Sequence, residues 1–146
     1  MLEVRQLNAW WGAAQALFDV SLQVGAGELV VLQGLNGAGK STLLQAISGI
    51  GPRIQGMVSY QNRSIERWPA HQRAQAGLGY VAEVRRLFGG LTVRENLHIA
   101  VRGPARQTAQ LEEHALALFP ALKGMLGRRA SQMSGGEQQM LAIART

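Results

Sequence analysis

Apolar and polar positions alternate twice near the start of the chain, over Leu2–Leu7 (LEVRQL) and again over Ala16–Val24 (ALFDVSLQV). A period of two predicts half-buried strands. A turn is expected at Trp10-Trp11-Gly12 after the first, and at Gly25-Ala26-Gly27 after the second. The next run, Leu29-Val30-Val31-Leu32, is apolar without alternation, as in a strand covered on both faces. Two alternating strands ahead of a fully apolar one predict an antiparallel sheet beside a parallel core, an α/β fold. Leu43, Leu44 and Ile47 then recur at helical spacing, so a helix opens at about Lys40 and ends at Gly49-Ile50-Gly51-Pro52.

Further on, Gly56–Gln61 reads as a strand and Glu66–Ala76 as a short helix with Pro69 near its start. Gly77–Ala82 reads as a second buried strand, followed by the polar turn Glu83–Arg86. Leu91–Val101 opens with Thr92 and carries Glu95 three residues on, the spacing of a capping box. Gln107–Phe119 is amphipathic, with Leu111, Ala115, Leu118 and Phe119 predicted on one face. Leu126–Gln132 reads as a polar connector. A last helix starts at Ser134, again with a glutamate, Glu137, at the capping-box position, and carries Met140, Leu141, Ile143 and Ala144. No internal repeat interrupts this order.

Composition narrows the picture. The chain has 146 residues, of which 47% are apolar, enough for a real core. It has no cysteine, hence no disulfide framework and no thiolate metal site. No signal pattern opens it, and no apolar run approaches the ~20 residues of a membrane span, so a cytosolic protein is expected. The net charge is +6, but the arginines are scattered and lack aromatic interleaving, which argues against a nucleic-acid face. His71, His98 and His114 have no metal-site spacing and are expected on the surface.

The candidate chemistry starts between the apolar run and its helix. Gly34, Leu35, Asn36, Gly37, Ala38, Gly39, Lys40 and Ser41 match G-x-x-x-x-G-K-[ST] in the strand–loop–helix setting that a phosphate-binding loop needs. Glycines let backbone N–H groups approach phosphate oxygens, and the helix N-terminus adds unpaired donors and the positive end of its dipole. On this reading Lys40 reaches the β- and γ-phosphates, Ser41 ligates Mg²⁺, and Thr42 donates to the α-phosphate. Lys40 is one of only two lysines, so general lysine abundance did not place it there. The second constellation is Ser134-Gly135-Gly136-Glu137-Gln138, which by itself is only a well-capped helix start.

Together the two motifs resemble the nucleotide-binding domain of ABC ATPases from end to end of the chain. Gly34–Ser41 resembles the Walker A loop, and Ser134–Gln138 the ABC signature. The resemblance implies that Trp11 stacks on adenine and that Glu83 stands at the Q-loop position. It implies a P-loop core with an N-terminal antiparallel subdomain over 1–82, the Q-loop and helical subdomain over 83–132, and the signature helix over 133–146. Asn36–Lys40, Glu83, Arg85-Arg86-Leu87-Phe88, Leu91–Leu97 and Met133–Ile143 resemble a narrower group, the second ATP-binding subunit of branched-chain amino acid importers. Within that group Ala82 and Val84 are departures, standing where proline and glycine are usual.

The same resemblance implies ATP and Mg²⁺ as cofactors. The expected partners are transmembrane permease subunits and a second ATP-binding subunit in a head-to-tail dimer, at the cytoplasmic face of the membrane, with no nucleic acid. The family's Walker B aspartate and catalytic glutamate have no counterpart. The only aspartate, Asp19, precedes the phosphate loop, and no acidic residue follows Glu137. The chain therefore reads as C-terminally incomplete, binding ATP without hydrolysing it. Alternative readings are a soluble ABC protein acting on nucleic acid or the ribosome, an importer for urea or amides, and a natural binding module without turnover.

Overall fold

The computed structural model describes residues 1–99, 101 and 105–146, with Ala105 through its backbone alone. Ala100, within the helix predicted over 91–101, and Arg102, among the scattered arginines, lie outside the described residues. The chain forms two units, Met1–Tyr80 and Val81–Thr146, each with its own core.

In the first unit, β1 (Leu2–Trp11) and β2 (Ala14–Val24) form a hairpin, and β3 (Arg53–Tyr60) and β4 (Arg63–Ser64) follow in a sheet of order β2-β1-β3-β4. Every pairing is antiparallel, with Leu2 opposite Val24 on one side and Tyr60 on the other. Both alternating runs are thus strands, and β1 continues through Trp10 and Trp11, where a turn was expected. Alternation, shifted by one residue between Val4 and Leu7, puts Val4, Leu7, Ala9, Leu17 and Val58 inward, against Leu43, Ala46 and Ile47 of α1 (Lys40–Ser48). The β1–β3 register slips between Arg5 and Asn8, at Gln6 with its φ of 48°. Gly56 faces this bulge at φ 115°, so close to the Gln6 backbone that a Cβ there would collide with it. The helix expected over 66–76 is shorter, α2 (Ala70–Gln75), and starts directly after Pro69.

The two runs predicted as buried parallel strands do not form strands. Residues 29–32 and 77–82 are extended or irregular and pair with no strand among the described residues. Leu29 is 88% exposed and Val31 65%. A strand is stabilised by its hydrogen-bonded neighbours, and apolar composition alone does not supply one. Leu32 and Leu78 still pack against the first core.

The second unit is helical: α3 (Val93–His98), α4 (Ala105–Leu118), 3₁₀ turns at Pro120–Met125 and Ala130–Gln132, and α5 (Gly135–Ala144). Val93, Leu97, Ala115, Leu116, Leu122, Ala130, Met133 and Leu141 form its core. The inward face of α4 therefore runs through Ala115 and Leu116, while Leu111 and Leu118, predicted with it, are 45% and 63% exposed. The connector over 126–132 is also more than polar surface. Ala130 is buried, and Thr92 bridges to Arg129. Asn96, fully buried, accepts from the Phe88 N–H and donates to the carbonyls of Phe88, Leu91 and Thr92, which closes the 88–92 loop.

Candidate functional site

The phosphate-loop residues sit where α1 begins, on the exposed rim of the first unit. Gly34, Gly37 and Gly39 take positive φ values of 149°, 85° and 90°. At Gly39 a side chain is doubly excluded, because a Cβ would lie 2.7 Å from the Leu17 side chain and 3.2 Å from the Ala16 carbonyl oxygen. This close approach ties the start of α1 to β2. The loop curls around Lys40, whose ammonium donates to the carbonyls of Gly34 and Leu35, each at 2.8 Å. A lysine ammonium has three donors, so two hold the loop and one is left for an anion.

No side chain caps α1 and no acidic residue lies in its first turn. Its N-terminal donors and dipole are thus neither satisfied nor neutralised by the protein's own carboxylates, and they favour an anionic group. Ser41 is exposed in that turn. The donor set fits a polyphosphate with its metal: backbone N–H groups, one ammonium and one hydroxyl, with no competing acid.

Trp11 reaches the same turn. Its indole N–H points at the Thr42 hydroxyl oxygen, 3.4 Å away, and its ring lies directly over Gly51. It keeps 45% of its surface exposed. The structure thus joins Trp11 to the loop residues, which sequence could link only through a resemblance. Trp10 is otherwise engaged, with the Arg53 guanidinium 4.4 Å above its ring.

A residue that sequence reasoning missed supports the far end of α1. Arg73, only 2% exposed, donates to the carbonyls of Ala46 and Ile47 in the last turn of α1, and to those of Glu66 and Trp68. Burial pulls its pKa down, and Glu66 opposes that pull. A cation at a helix C-terminus suits the dipole and satisfies carbonyls that would otherwise lack donors. Only its place four residues after Pro69 hinted at this, since arginine is seldom buried.

In the second unit Ser134, Gly135 and Gly136 are exposed at the start of α5. Ser134 accepts from the Glu137 N–H, and Glu137 accepts from the Ser134 N–H at 2.7 Å, the predicted capping box. These bonds hold the Glu137 carboxyl below its ordinary pKa, and Arg128 adds to the effect. Thr92 and Glu95 form the same device on α3. Glu83 is exposed beside a cleft of about 480 Å³ that Arg85, Ser131 and Gln138 also line. His98, expected on the surface, is half-buried, its Nε2 2.5 Å from Glu112, which Arg94 also approaches. Among the described residues no group of His, Asp and Glu has the makings of a metal cluster.

Known proteins match this chain over nearly its whole length. The family model for ABC transporters covers residues 17–146. The high-affinity branched-chain amino acid transport ATP-binding protein BraG of Pseudomonas aeruginosa is 41% identical over 146 residues, which is 99% of this chain and 63% of that protein. The probable branched-chain amino acid transport ATP-binding protein LivF of Archaeoglobus fulgidus is 37% identical, over 99% of this chain and 61% of its own length. A dimeric structure of MJ0796, a bacterial ABC transporter cassette, superposes with a TM-score of 0.83 at 26% identity, covering 99% of this chain and 68% of the cassette. The chain thus spans less than two thirds of the length of these two relatives. With the phosphate loop, the capped Ser-Gly-Gly turn and a family match over most of its residues, the chain belongs to the ABC transporter family.

Proposed function

We propose that this chain binds Mg·ATP through Gly34–Thr42 and forms the ATP-binding part of an importer subunit for branched-chain amino acids. The observation that carries the reading is the loop closed around Lys40 at an uncapped, acid-free helix start. Lys40 contributes its remaining donor to the phosphates, Ser41 a metal ligand, and Trp11 an aromatic face for the base. Magnesium, when bound, neutralises phosphate charge. Ser134–Gly136 would meet the γ-phosphate of a nucleotide held by a second, head-to-tail subunit. Permease subunits would hold the pair at the cytoplasmic face of the membrane. The names of the two branched-chain relatives support the choice of solute.

Of the chain's nine acidic residues, most are already engaged. Glu95 and Glu137 close capping boxes, and Glu112 meets Arg94 and His98. Glu3 pairs with Arg5, Glu28 accepts from the Gly25 N–H, and Glu66 accepts from the Ser64 hydroxyl. Asp19, Glu83 and Glu113 remain, and Asp19 is exposed on β2. Nothing here is placed as a general base, so this chain binds ATP without turning it over. Titration with a fluorescent ATP analogue tests the site, and Lys40→Ala should abolish binding. Equal affinity for both forms would overturn the assignment. Steady-state turnover at ~1 s⁻¹ or faster, lost in Glu83→Gln, would make Glu83 a base and refute the second statement. Co-purification with permease subunits supports the importer, whereas co-purification with nucleic acid would favour a soluble ABC protein.

A further inference from the structure

We propose that Arg85 is a positioning residue for the Ser134–Gly136 turn, acting through the side chain of Gln138. The Gln138 amide lies behind that turn, with its NH₂ donating to the carbonyls of Ala130 at 3.0 Å and Met133 at 3.3 Å. These two acceptors fix which end of the amide is nitrogen, so its oxygen must face a donor. Arg85 Nη1 is that donor, at 3.1 Å. Its Nη2 lies beside Gly135, where an added Cβ would come within 3.3 Å of it, so the missing side chain leaves room for the guanidinium. One residue in the 83–88 segment thereby fixes both the approach to α5 and its first turn.

The helix dipole does not explain a cation in this place. A positive charge at a helix N-terminus opposes the dipole, and the buried Arg85 Nε has no hydrogen-bond partner. Both effects offset part of what the Gln138 bond contributes, whereas an anion at Ser134–Gly136 would be held by the same charge and by the backbone N–H groups it steadies. The functional half of this inference rests on the proposed reading of that turn as a phosphate site. The positioning half does not.

The two halves separate by experiment. Amide hydrogen exchange of the full chain should show residues 133–139 exchanging about tenfold faster in Arg85→Ala. Arg85→Met, which keeps the aliphatic stem, should behave like Arg85→Ala, and Arg85→Lys should return most of the protection. Exchange over 93–98 should not change in any of them. Wild-type protection in Arg85→Met would reduce Arg85 to packing and overturn the proposal. Self-association driven by ATP but not ADP should weaken about tenfold in Arg85→Ala and not in Arg85→Lys, while binding of the fluorescent analogue to the phosphate loop stays the same. If ATP drives no association of the unaltered chain, the phosphate reading of the turn fails, and the exchange result alone decides on positioning.

Discussion

At Arg73 a full positive charge is enclosed by backbone carbonyls from two segments, and Gly49 leaves the space it occupies. Arg73→Met keeps the stem but strips those carbonyls of donors, so a loss of about 3 kcal/mol in unfolding free energy is expected, measured by urea denaturation. Nucleotide affinity should fall less than in Lys40→Ala, because the far end of α1 is disturbed and the loop itself is not. Trp11 makes the opposite case, an exposed residue with few anchors. Base stacking on such a ring is worth about 1 kcal/mol, so Trp11→Ala should weaken ATP binding several-fold without abolishing it. Indole quenching by ATP that persists in Trp11→Ala would assign the signal to Trp10 or Trp68 and count against stacking.

The elements that formed as the sequence predicted are those with their own local signal. Both capping boxes are present because Thr92/Glu95 and Ser134/Glu137 need only three residues of spacing to satisfy each other. Their carboxyls have depressed pKa values, so their contribution to stability is complete above the ordinary glutamate range and fades as pH falls through the depressed value. Helicity of the second unit should therefore decline below about pH 4, and Glu137→Gln, which retains an acceptor without the charge, should flatten that decline in circular dichroism. The glycine turn before α1 and the helix start at Lys40 were legible for the same reason, since the glycines and the lysine lie within eight consecutive positions. What was not legible depends on distant partners. Residues 29–32 and 77–82 needed neighbouring strands, Arg73 needed the end of α1, and Gln138 needed Arg85. The inward face of α4 keeps Ala115 and Phe119 of the predicted stripe but not Leu111 and Leu118, because helical period gives a stripe but not the direction of the core, which Leu122 and Leu141 set from elsewhere.

For the molecule as a whole, the sheet and its covering helix hold the Gly34–Ser41 loop, and the helical unit holds the Ser134–Gly136 turn. Among the described residues no helix is long and apolar enough to cross a membrane. The unpaired run at 29–32 has a further meaning. Leu29 and Val31 offer apolar side chains to water, and the backbone around them has no strand partner among the described residues. A strand-length segment in that state is an adhesive edge, ready to recruit the same segment of another copy. The shelf life of a concentrated solution should then depend on this one run and not on the melting of either core. Light scattering should rise with protein concentration at temperatures where circular dichroism is still native. Val31→Lys, a single charge on that edge, should delay the rise without shifting the thermal midpoint.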